Sequence, residues 1–190
     1  GAVAGDAITA AHLREQLRRV GALGLTTPTG GSLSVALTDE RGQLLATVTA
    51  AELTRLARRG CPQHPSAGCG CAVLGMPADT EAYEPRAAQQ RFVRSRDRRC
   101  RMPNCGQRVG WADLDHVVPH ADGGRTSCTN LCCACRSHHR LKTFASGWDF
   151  RMATDGTLYV TSPSGVTRTT RPPGLRPAQR APSPPAPDPD

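Results

Sequence analysis

Two short ligand pairs constrain this chain more than any other feature: Cys100-x4-Cys105 and Cys135-x2-His138. Cys100 and Cys105 flank a turn. Cys135 and His138, three apart, fall on one face of a helix. Two such pairs separated by a loop make a tetrahedral Cys3His zinc site. Buried free thiols would explain one pair. They explain poorly two pairs that flank an Asp-His and are followed by His139. The chain also needs such a staple. Its seven aromatic residues, 4% of the sequence, all lie beyond residue 80. A segment so poor in large apolar side chains struggles to bury enough surface to offset chain entropy. The nine cysteines are an odd number, with no signal peptide ahead of them. Both facts favour thiolate metal ligation in a reducing cytoplasm over a secreted disulfide scaffold. Cys128, Cys132 and Cys133 are then spare. Cys132 or Cys133 could replace Cys135 only with a worse offset, and Cys128 reads as a small packed residue.

No apolar run reaches membrane-spanning length, so a soluble, cytoplasmic protein without a membrane partner is expected. The chain opens on Gly1 and reads as part of a longer protein. Ile8, Leu13, Leu17 and Val20 make a helical stripe over 7–20, with Asp6 as its N-cap. Residues 32–37 and 43–48 alternate as a hairpin around 39–42. Thr49-x2-Glu52 is a capping box opening a helix that ends near Gly60. Residues 1–60 therefore read as a helix–hairpin–helix remnant of an upstream domain, with no evident chemistry. Residues 61–82 form an irregular linker. Its Cys61-x2-His64-x4-Cys69-x-Cys71 could hold a second zinc, or could be a loop with incidental cysteines. The principal domain runs over 83–165. Within it, 85–97 is expected to be helical, with Pro85 at its first position and Arg86, Arg91, Arg94 and Arg96 placed to meet phosphates. Segments 148–153 and 157–162 form a hairpin around Asp155-Gly156. The remainder, 166–190, reads as a Pro-rich disordered tail, with eight of the sixteen prolines beyond residue 170.

The net charge of +8 is concentrated. Between Glu84 and Lys142 there are twelve Arg/Lys against five Asp/Glu, a local net of +7. A solvated basic face explains this as well as a nucleic-acid partner does. The residues inside that segment favour the second reading. Asp115 and His116 are adjacent at the end of an apolar-alternating strand, so they point to opposite faces just before Pro119 bends the chain. A hydrolytic phosphodiesterase needs a carboxylate for a hard cation and a base for water. His139 can return from the following helix as a second metal ligand. It lies about 100° around the helix axis from His138, so one histidine can face zinc and the other an active site. Ala121–Thr129 is a Gly-rich loop between strand and helix. Asn130, at the expected helix start, would fix that loop against the strand or act as an ordinary N-cap.

Asp115-His116-x2-Pro119, Gly123-Gly124, Asn130-Leu131 and Cys135-x2-His138-His139-x2-Lys142 together resemble the HNH endonuclease motif. The flanking stretches 96–101, 111–116 and 162–167 are also similar to actinobacterial proteins that join an upstream helical domain of unknown function to an HNH domain. The resemblance implies an α+β fold: a small zinc-stapled ββα-metal domain. It implies His116 as general base, and Asp115 and His139 as ligands of a catalytic divalent metal, Mg²⁺ or Mn²⁺. Asn130 would order the loop. Cys100, Cys105, Cys135 and His138 would hold structural Zn²⁺. Two features depart from the family pattern. The first knuckle is Cys-x4-Cys where Cys-x2-Cys is common, and His138 stands where a Cys is common.

The expected function is metal-dependent hydrolysis of DNA phosphodiesters. Arg94, Arg96, Arg98, Arg99, Arg101, Arg136, Arg140 and Lys142 would hold flanking phosphates. The main rival is a zinc-stabilised DNA-binding module without cleavage. It has no need of Asp115, His116 and His139 together. A zinc-stapled protein-interaction domain is a third reading, and it predicts no salt-dependent DNA affinity.

Overall fold

The computed structural model describes residues 8–27, 29–64 and 69–174. The chain is mixed α and β, and among the described residues its four small sheets are all antiparallel. Strand β1 (Ile8–Thr9) leads into α1 (Ala10–Ala22), which starts later than its apolar stripe predicts. Thr9, not Asp6, caps it, accepting from the His12 amide at 3.2 Å; Asp6 lies outside the described residues. The hairpin β2 (Ser34–Thr38) and β3 (Leu44–Thr49) forms where alternation predicts it. Helix α2 (Ala50–Arg59) opens on the expected capping box. The Glu52 amide donates to Thr49 Oγ1, and the Thr49 amide donates to Glu52 Oε2. Gly60 ends the helix with a φ of 64° that favours glycine. The linker contains a short strand, β4 (Ala72–Leu74), paired with β1. Ile8, Leu13, Leu37, Ala46, Val48, Leu53 and Ala57 form the core of this first unit.

Helix α3 (Ala87–Asp97) begins after Arg86, two residues beyond the expected Pro85 start. It packs on β3 and on the strand Leu131–Cys135. Strands β5 (Ala112–His116) and β6 (Leu131–Cys135) form an antiparallel pair, and β6 runs straight into α4 (Arg136–Phe144). Every residue of β6 is buried because the strand lies between two cores. Cys133 joins Phe92, Val93, Cys128 and Leu131 beneath α3. Cys132 points the other way, to Val117, Leu158 and Val160. Burial pushes the Cys128 thiol up to about 12 and raises Cys132 and Cys133 as well, so these spare cysteines are neutral packed thiols.

A three-stranded meander closes the second core: β7 (Asp149–Met152), β8 (Leu158–Thr161) and β9 (Thr167–Thr170). The first two are the expected hairpin. The third corrects the assignment of 166–190 to a disordered tail: Thr167–Thr170 pairs along β8. Its polar, outward-facing residues carry no alternation to betray a strand. Residues 175–190 lie outside the described residues.

One buried charge cluster ties these layers together. Asp97 is fully buried. It accepts from Arg96 Nε at 2.8 Å, from an Arg101 terminal nitrogen at 2.9 Å and from the Cys133 amide at 2.8 Å. Arg96 also donates to the carbonyls of Cys128 and Leu131, and Arg101 to those of Gly156 and Thr170. Asp97→Ala would strand two guanidinium groups in the interior. A loss of about 3–5 kcal/mol is expected, read as a lower denaturant midpoint by circular dichroism.

Candidate functional site

The two ligand pairs meet. Cys100, Cys105, Cys135 and His138 bring one donor atom each to within 4.8 Å of all the others. His138 Nδ1 lies 3.5 Å from Cys100 Sγ and 3.2 Å from Cys135 Sγ. Zinc bonds of about 2.3 Å to sulfur and 2.0–2.1 Å to nitrogen, at the tetrahedral angle, put S and N about 3.6 Å apart. Cys135 is the residue before α4, so its side chain and that of His138 in the first turn share a face. Cys61, His64, Cys69 and Cys71 also converge within 4.8 Å. Both Cys/His clusters could hold a structural metal ion such as zinc.

On the other side of α4, His139 turns towards β5. Its Nε2 lies 3.8 Å from Asp115 Oδ1 and its Nδ1 lies 3.8 Å from Asp113 Oδ2. Asp113 and Asp115 are two apart on a strand and therefore share a face. Asp115 is buried, and its Oδ2 has no hydrogen-bond donor. The Lys142 ammonium lies 3.4 Å from that oxygen, within ion-pair range, and donates to the His116 carbonyl at 2.7 Å. Lys142 thus braces the strand end from α4.

His116 points to the opposite face of β5, into a pocket of other residues. Its Nε2 lies 2.8 Å from Thr126 Oγ1, and Thr126 donates its one hydroxyl proton to the Tyr83 carbonyl at 3.3 Å. A ring proton on His116 Nε2 satisfies both contacts at once, donating to Thr126 while Thr126 donates to Tyr83; in that tautomer the lone pair is on Nδ1. Tyr83 stacks on the imidazole at 5.3 Å between centroids, and His120 meets its edge at 5.7 Å. Burial first, and then the neighbouring His120, hold His116 below the usual histidine range, so it is neutral at neutral pH.

A 90-residue stretch of the chain is 47% identical to the uncharacterized protein Rv3776 of Mycobacterium tuberculosis (strain ATCC 25618 / H37Rv), covering 47% of this chain and 17% of that protein. The uncharacterized proteins MT2160 (strain CDC 1551 / Oshkosh) and Rv2100 (strain ATCC 25618 / H37Rv) match at 47% identity over 90 residues, 16% of each. The chain thus matches about a sixth of the length of these curated relatives. No family model matches the chain. No solved structure matches it.

Asn130 sits at the entry to β6, not at a helix start, because the Gly-rich loop returns to a strand rather than a helix. Its amide group accepts from the Val118 N–H at 2.9 Å and donates to the carbonyls of Val118 and Arg125 at 3.0 and 2.9 Å. It therefore clamps the loop to the end of β5. Gly124 makes that clamp possible: a Cβ there would fall on the Val118 carbonyl and against the Asn130 amide. Gly124→Ala is expected to cost about 1–3 kcal/mol through overpacking, seen as a lower thermal midpoint.

The arginines divide. Arg94, Arg98, Arg99, Arg136 and Arg140 are exposed. Arg96 and Arg101 are not, with 9% and 2% of their side chains accessible, and Arg96 Nε and the terminal nitrogens of both donate to Asp97 and to backbone carbonyls. Their assignment to phosphate contacts is corrected on that ground, and Lys142 is likewise turned inward. Arg91 pairs with Glu52 at 3.1 Å rather than facing solvent freely. Arg94, Trp111, Asp113 and Arg136 line one cleft. Among the site's neighbours, sequence reasoning passed over Asp113, Tyr83, His120 and Thr126. Only Asp113 carries a local signal, its two-residue offset from Asp115.

Proposed function

We propose that this chain carries an HNH-type, ββα-metal nuclease centre that hydrolyses DNA phosphodiester bonds. One observation carries the reading. The buried Asp115 carboxylate and His139 face each other at 3.8 Å, one residue along the strand from a neutral, hydrogen-bonded His116. Two ligands of one hard cation, each bonded at about 2.1 Å, lie no more than about 4.2 Å apart. The Asp115–His139 pair fits that limit through Asp115 Oδ1, while the Lys142 ammonium lies beside the other carboxylate oxygen at 3.4 Å. Asp115 and His139 would hold Mg²⁺ or Mn²⁺, which supplies charge stabilisation at the reacting phosphate and the leaving 3′-oxygen.

The chain's own groups then have distinct tasks. Thr126 keeps the His116 lone pair on Nδ1, where it takes a proton from water. The water oxygen bonds to phosphorus as the bond to the 3′-oxygen breaks, and that oxygen takes up a proton from solvent, leaving 5′-phosphate and 3′-hydroxyl ends. The cleft lined by Arg94, Trp111 and Arg136 runs beside Asp113, which His139 contacts, so it offers flanking phosphates a path to the centre. The β5–β6–α4 order, strand–strand–helix, supports the same reading.

The rival reading, a zinc-stabilised DNA-binding module, is favoured by the exposed arginines alone. A plasmid-nicking assay with divalent metals added singly, beside a salt series, separates the two. Nicking in Mg²⁺ or Mn²⁺, lost in EDTA, is expected. Salt-sensitive binding with no nicking under any metal would establish the binder instead.

A further inference from the structure

We propose that Cys61, His64, Cys69 and Cys71 form a second, separate structural zinc site that fastens the end of α2 to the start of β4. The geometry repeats that of the Cys100 cluster. His64 Nδ1 lies 3.7 Å from Cys61 Sγ and 3.3 Å from Cys71 Sγ. Sulfur and nitrogen on one zinc lie about 3.6 Å apart. All four donors fall within 4.8 Å of one another, and all three cysteines are free thiols. Three thiols and an imidazole satisfy a tetrahedral ion completely. They satisfy a disulfide only by leaving one thiol over. With four protein donors the site is closed, which is the structural rather than the catalytic pattern.

The surroundings are built for it. Gly60 turns the chain out of α2, so that Cys61 and His64 follow as a Cys-x2-His pair, the spacing of Cys135 and His138. Cys71 directly precedes β4, which among the described residues pairs with β1 at Ile8–Leu74 and Thr9–Ala72, with a shift of register between them. A two-stranded ladder is marginal without further support. The cluster supplies that support by closing the loop between α2 and β4.

The site also has reach. From β4 the chain runs over the face that holds His116. Thr80 bridges Thr126, Glu81 pairs with Arg125 at 2.8 Å, and Tyr83 stacks on the imidazole. The zinc site anchors the upstream end of this strap. It stands whether or not the chain cleaves DNA.

The test is metal content of the full chain, purified under reducing conditions. Two zinc ions per chain are expected, falling to one in Cys69→Ser/Cys71→Ser. In that variant hydrogen exchange should rise over 69–83 while β5, β6 and α4 stay protected. Cobalt(II) titration of the unaltered chain provides a readout independent of any variant. Two equivalents should develop tetrahedral, thiolate-ligated absorption. A single zinc, a count unmoved by the double substitution, or cobalt saturation at one equivalent overturns the proposal.

Discussion

His116→Ala is expected to lower plasmid nicking by roughly 10²- to 10⁴-fold, the range a general base contributes, with zinc content unchanged. His116 is a neutral imidazole with Nε2 2.8 Å from the Thr126 hydroxyl, and the proposed reaction uses the lone pair of the tautomer that donates there, on Nδ1. The variant needs a companion, because His116 is only 5% exposed and its loss leaves a gap beneath Tyr83. His116→Asn keeps a polar side chain against Thr126 but cannot take up the proton. It should fold better than the alanine variant and cleave no faster. Full nicking by either protein in Mg²⁺ or Mn²⁺ would remove His116 from the reaction.

The adjacent histidines should fail in opposite ways. His138→Ala removes the nitrogen 3.5 Å from Cys100 Sγ and 3.2 Å from Cys135 Sγ. Structural zinc is worth about 10–16 kcal/mol in small zinc-folded peptides, comparable to a typical domain's whole stability of about 5–15 kcal/mol. Loss of zinc from this cluster and of cooperative unfolding is expected. His139→Ala removes a side chain that is 39% exposed and faces two carboxylates. Zinc and fold should survive while nicking is lost. Zinc content, a denaturant melt and a nicking assay on both proteins decide the matter. The opposite pattern would mean that the two roles are exchanged.

Local signals carried the parts of the fold that depend on neighbours in sequence. The Thr49–Glu52 capping box, the β2–β3 hairpin and the Asp155-Gly156 turn were legible because each is decided within a few residues. The Cys-x4-Cys and Cys-x2-His pairs were legible because metal spacing is local, although their meeting is not. What escaped was set by distant partners. Arg96 and Arg101 look like surface cations in sequence, and only the fold shows Asp97 and four carbonyls waiting for them. Asn130 resembles an N-cap, but its acceptor and donor serve the end of a strand. Tyr83 reaches His116 from the first residue of the segment read as the principal domain, and no periodicity links the two.

The opposite orientations of Cys132 and Cys133, one into each core, have a consequence for how this segment can vary. Asp115 is paired with Cys132 and His116 with Leu131, so the parity of a single ladder decides which residue meets His139 and which meets Thr126. A one-residue insertion in β5 upstream of Asp115 would exchange the two faces wholesale. A two-residue insertion would restore parity but carry both side chains past Asn130 and Lys142, which fix the strand end through Val118 and the His116 carbonyl. Length variation among relatives of this chain should therefore collect in the loops on either side of β5 and β6 and spare the strands.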